Sequence, residues 1–153
     1  MADPQEQFEQ LIQHLSSISG HDFPINDNAC TLVNEDNEVA AVIELPEDSD
    51  LLLIHTMVAR LPSDPEVRHG RALQLLTLNS SPDKLRGAWF SIDEEGYGIH
   101  LTTSSPVDSL TTGIFENLLF NYIQLAEKLK QELTEEELEL ASPPPPPAAG
   151  LQV

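Results

Sequence analysis

The segment Leu51 to Leu61, LLLIHTMVARL, constrains the fold more than any other stretch of the chain. It lies between the turn formers Pro46-Glu47-Asp48-Ser49-Asp50 and Pro62-Ser63-Asp64-Pro65, which bound it as one extended element. Side chains alternate between the two faces of a strand. Leu51, Leu53 and Met57 therefore fall on one side, and Leu52, Ile54 and Val58 on the other. A strand that is apolar on both faces belongs inside a sheet with both faces covered.

Two shorter strands precede it, Ala29 to Val33 and Glu38 to Leu45, joined by Asn34-Glu35-Asp36-Asn37. Short polar turns at both connections predict an antiparallel meander. An amphipathic helix from Pro4 to Ser19 comes first, with Phe8, Leu11, Ile12, Leu15 and Ile18 on one stripe. Asp3 is placed to cap it and Gly20 to end it. A second helix opens at Ser63-Asp64-Pro65-Glu66, where Ser63 and Glu66 have capping-box spacing, and runs to Leu78. Its residues Val67, Ala72, Leu73, Leu75, Leu76 and Leu78 occupy most of the helix circumference, more than one sheet can cover. Burial against a second copy of the chain is the simplest remedy.

A hairpin follows, Arg86 to Asp93 and Tyr97 to Thr103, turning at Glu94-Glu95-Gly96. A long helix then begins near Asp108, with Leu110, Ile114, Leu118, Tyr122, Leu125, Ala126, Leu129 and Leu133 on one side. The expected fold is α+β, in the order α-β-β-β-α-β-β-α, a twisted antiparallel sheet with helices packed on it. Residues 1–133 form one domain, since a chain of 153 residues folds around a single core. Residues 134–153 read as an acidic, proline-rich, disordered tail with a run of five prolines.

Charge bounds the partners. Against 26 acids stand 7 bases, a net of -19. Without the tail 22 acids and 7 bases remain, so the domain is acidic in its own right. Nucleic acid and anionic membrane, which require a basic footprint, are disfavoured. No apolar run approaches the length of a membrane span, and the N-terminal residues have neither the basic nor the apolar region of an export signal. With Cys30 alone, no intramolecular disulfide can form, which fits a reducing cytoplasm.

The residue patterns of catalysis do not occur. His14, His21, His55, His69 and His100 lack HxxxH or HExxH spacing, and no GxSxG, GxGxxG or phosphate-loop sequence is present. Cys30 has no basic neighbour to activate it, and the acidic turns lack EF-hand spacing. The expectation is a protein that is not an enzyme and uses no metal or cofactor. What stands out is apolar surface in helix one and the first three strands: Phe8, Leu11, Ile12, Leu15, Leu32, Val39, Ala41, Val42, Ile43, Leu52 and Ile54. Each alone fits a core. As a group they are expected to be partly exposed, as a groove.

The stretch from Leu73 to Leu133 resembles the class I type III secretion chaperones, the CesT/SycE-type family. It has a leucine-rich helix ending LQLLTLN, the hairpin RGAWFSIDEEGYGIHL with a mid-strand aromatic, and a terminal amphipathic helix after SSPVDSL. Leu51 to Pro62 with Asp64-Pro65 resembles the family's third strand and second-helix start, so the resemblance covers about residues 3–133. It implies a cytoplasmic homodimer of a Gram-negative bacterium that binds the N-terminal part of a cognate effector in extended form, without ATP, and keeps it secretion-competent. It further implies a dimer interface of Val67, Ala72, Leu75, Leu76 and Trp89. The effector groove would be built from Phe8, Leu11, Ile12, Leu15, Leu32, Val39, Ala41, Ile43, Leu52 and Ile54. The competing expectation is a regulatory module of the same fold that binds a folded protein.

Overall fold

Helix α1 (Pro4–Ser19) starts where Asp3 accepts a hydrogen bond from the Gln5 N–H through its side chain. Proline occupies its first turn, where no intrahelical donor is lost. It stops at Gly20, whose φ of 74° only a residue without Cβ adopts cheaply. A computed structural model describes residues 2–140 of the chain.

Strands β1 (Ala29–Val33), β2 (Val39–Glu44) and β3 (Leu51–Arg60) follow as an antiparallel meander. The first turn is held by the Asn34 side chain, which accepts the N–H groups of Asp36 and Glu38. Helix α2 (Pro65–Leu78) is capped by Asp64, which accepts from the Val67 N–H at 3.1 Å. Ser63, the sequence's candidate for that role, lies one residue too early. A four-residue helix α3 (Pro82–Leu85), absent from the expected order, leads into β4 (Trp89–Ile92) and β5 (Gly98–Pro106). Proline at its first position and positive φ at Arg86 bound that extra turn. After a 3-10 turn (Val107–Ser109), helix α4 runs from Thr112 to Leu140. Seven residues of the expected tail therefore continue this helix; 141–153 lie outside the described residues.

The five strands form one antiparallel sheet in the order β1-β2-β3-β5-β4. Register fixes its two faces. Cys30, Ile43, Ile54 and Thr103 form one row across four strands, and all are buried. Helix α4 lies over β3 and β2 on this side, and α1 packs against α4 and the 3-10 turn. Phe8, Leu11 and Ile12 of α1 meet Leu52, Ile54 and Leu101 of the sheet and Phe115, Leu119 and Tyr122 of α4 in one core. Each such side chain stabilises the fold by about 2 kcal/mol through removal from water. Tyr122 donates its buried hydroxyl proton to the Leu101 carbonyl at 2.8 Å, which ties α4 to β5.

The opposite face carries the row Thr31, Val42, His55, Thr102 and Trp89. On β3 the side chains on this face are half-buried or exposed, Leu51 and Met57 among the exposed. The expectation that β3 is covered on both faces is thus not met within one chain. The apolar stripe of α4 also differs from the sequence reading. Ile114 is 51% exposed and Leu118 half-buried, while Phe115 and Leu119 take the core positions. The helix begins at Thr112 rather than Asp108, and Thr112, Gly113 and Ile114 are exposed.

Candidate protein-binding surface

Eight of the ten residues assigned to a groove are buried: Phe8, Leu11, Ile12, Leu32, Ala41, Ile43, Leu52 and Ile54. Leu15 is half-buried and Val39 is 42% exposed. The partial exposure expected for the group is therefore corrected. The strand members point to the face under α1 and α4, and the helix members supply that cover. The strands form where expected, and most of the side chains assigned to the groove lie on the inner face. Exposed apolar side chains of the same elements are instead Ile18, Val33, Val39, Leu51 and Met57. Alternation about the buried Leu32 is the signal that identifies Val33. Val42, also counted in the apolar group, is half-buried on the outer face.

Strand β1 is a sheet edge. Ala29 directs both its N–H and its C=O to Asn26, at 3.0 and 2.9 Å. Alternation in an antiparallel ladder then points the N–H and C=O of Thr31, two residues on, away from β2. Thr31 is exposed and Val33 is 55% exposed. A second extended chain has here both the backbone groups and an apolar contact that strand addition needs.

The other edge is built differently. The Phe90 N–H on β4 donates to the Asn79 side-chain oxygen at 2.7 Å, and the Asn79 amide donates back to the Phe90 carbonyl at 3.0 Å. One side chain at the end of α2 thus occupies the place of a neighbouring strand. Ala72, Leu75, Leu76, Phe90 and Ile92 line a 160 Å³ cleft beside this latch. Among residues assigned to a dimer interface, Leu75 is buried, Val67 and Ala72 are half-buried, Trp89 is 38% exposed and Leu76 is 65% exposed. Leu73, on the same helix, is also exposed.

Three histidines each face a carboxylate. His14 of α1 pairs with Glu116 of α4, His55 with Glu44 at 3.0 Å across β3 and β2, and His100 with Asp93 at 3.9 Å. His55 lies on the outer face and not in the core. Among the described residues no group of three or more His, Cys, Asp or Glu could hold a metal ion. Burial pushes the Cys30 thiol up to about 11, which keeps it protonated and unreactive at neutral pH. Asp93 is held below the usual carboxylate range by the backbone N–H groups of Gly98 and Tyr97 that its side chain accepts. No helix among the described residues is long and apolar enough to cross a membrane.

Among the described residues the chain is an α+β domain with an open antiparallel sheet, α1 and α4 on one face, one edge strand left unpaired and one latched. The chain belongs to the Tir chaperone protein (CesT) family, whose model matches residues 10–130. The resemblance read from Leu73 to Leu133 is borne out: this is a class I type III secretion chaperone by family.

Solved structures share the fold. The ExsC–ExsE complex matches at 18% identity and a TM-score of 0.69, covering 85% of this chain and 96% of that one. The HopA1–SchA chaperone–effector complex matches at 13% and 0.64, covering 86% and 99%. YbjN of E. coli, described as a candidate transcription regulator, matches at 19% and 0.61, covering 84% and 92%. At these identities the likeness is one of fold alone; membership of the family rests on the family model. No curated protein sequence matches the chain.

Proposed function

We propose that the protein is a cytoplasmic, ATP-independent homodimeric chaperone that holds the N-terminal segment of a type III secretion effector extended along β1. The observation that carries this reading is the free β1 edge, with outward-pointing backbone groups at Thr31 beside exposed Val33. A segment paired there stays a single strand, unfolded yet kept from aggregating. Dimerisation is supported by Leu73 and Leu76, which leave α2 with an apolar face that stays exposed among the described residues.

Co-expression with the products of neighbouring reading frames, followed by pull-down and sizing, tests the reading. The expected result is a dimer that co-purifies one of them. Thr31→Pro removes the outward donor and should abolish capture while the fold and the dimer persist, since this N–H does not bond to β2. Leu76→Glu should give monomers. Undiminished capture by Thr31→Pro would remove the edge from the mechanism.

A further inference from the structure

The open edge of β1 does not by itself say what sequence it accepts, but the distribution of charge around it does. Residues 1–59, which build α1, β1, β2 and nearly all of β3, contain twelve acids and neither Lys nor Arg. All seven bases lie from Arg60 onward. Between Arg60 and Thr134 they stand against ten acids, so the sheet half bearing β4 and the helices α2, α3 and α4 is nearly balanced. The net charge of the domain thus belongs mainly to one side of the fold.

Around β1 the acids fall at both ends of a five-residue strand. Asp22 and Asp27 precede it, and Glu35, Asp36 and Glu38 follow it in the turn to β2. All five are exposed, and none makes an ion pair among the described residues. Glu44 is already paired with His55. Lys130 of α4 donates to the Val39 carbonyl at 3.2 Å and forms an ion pair with none of the five carboxylates. Between the two acidic ends the strand offers no charge, only Ala29, Cys30, Thr31, Leu32 and Val33.

We infer that β1 selects a cationic strand: a partner segment with uncharged, alternately apolar residues opposite Thr31 and Val33 and with Lys or Arg at both flanks. The inference rests on the edge-docking reading above and adds the chemistry of the bound segment. Opposite charges at the ends steer encounter and fix register, while a segment flanked by Asp or Glu is repelled from both ends. Strand register is otherwise weakly specified when few side chains distinguish its faces.

Three labelled peptides with the same centre, Val-Thr-Val-Ser-Val, and flanking pairs of Lys, Gln or Glu test it by fluorescence anisotropy on the full chain. The Lys-flanked peptide should bind about tenfold more tightly than the Gln-flanked one at low salt, and the gap should close near 0.5 M salt. The Glu-flanked peptide should bind most weakly. Combined Glu35→Gln, Asp36→Asn and Glu38→Gln should erase most of the advantage. Combined Asp83→Asn, Glu94→Gln and Glu95→Gln, equal in charge but on the β4 side of the fold, should preserve it. Equal binding of Lys- and Gln-flanked peptides overturns the charge inference and leaves edge docking intact. Equal loss in both triple variants also overturns it, by showing attraction to net charge alone. Failure of all three peptides to bind overturns edge docking itself.

Discussion

The two edges of the sheet are opposite solutions to one problem. An edge strand presents unpaired backbone groups that invite another chain, and β4 answers by bonding both groups of Phe90 to Asn79. On β1, Asn26 does the same for Ala29 and then the cover ends, leaving Thr31 outward. Edge protection in this molecule is selective, and the unprotected strand lies among uncompensated acids. The outward backbone groups of β1 extend over only two or three residues, which limits what can pair with them.

The largest effect is expected from the layer beneath the two edges. Ile54→Asp puts a carboxylate at a fully buried site between α1, α4 and the sheet. It should cost several kcal/mol and unfold the domain, as read by circular dichroism and loss of the thermal transition. Loss of partner binding in that variant would therefore say nothing about the edge.

Next in size is Asn79→Ala, which strips the latch and leaves the Phe90 N–H and C=O without their partner. A loss of about 1–3 kcal/mol in denaturant unfolding is expected, together with concentration-dependent association through the newly opened β4. Thr31→Ala on the open edge removes no such bond and should change stability by less than about 0.5 kcal/mol. Similar losses in the two variants would erase the distinction between the edges.

The smallest effect lies in the β4–β5 turn. Asp93 has a folded-state pKa below its ordinary 3.8, so its contribution is present above that value and fades as pH falls through the lower, folded one. Asp93→Asn should be slightly less stable than the parent at neutral pH, with the difference vanishing in strong acid. A gap that widened on acidification would contradict the assigned cause.

The order of elements was legible because it rests on local signals. Apolar residues three and four apart marked the helices, alternation marked the strands, and Asp3, Gly20 and Gly96 punctuated them as their chemistry requires. Short-range ambiguity produced the small differences. Ser63 and Asp64 are both acceptable caps, and Pro82-Asp83-Lys84-Leu85 is too short to show a period.

The candidate binding surface was less legible because its decisive property is not local. Leu32 and Val33 are similar side chains one residue apart, one buried and one 55% exposed, and only the position of α4 decides which face is covered. The two apolar faces of β3 mark it as an inner strand, but no local signal says which strands end at the edges, since sheet order is set by how β5 inserts beside β3. The same limit applies to Asn79, whose side chain meets a backbone eleven residues away.

Cys30 gives the open edge a built-in stopwatch. Its sulfur lies on β1 itself, one residue before Thr31, fully enclosed and held as the protonated thiol. An alkylating reagent can reach it only when the core around it opens, by β1 leaving the sheet or by the helical cover lifting, so the labelling rate of the unmodified chain counts those openings. A strand seated on β1 lengthens the interval between them, and occupancy becomes readable by mass, without any tag on either molecule.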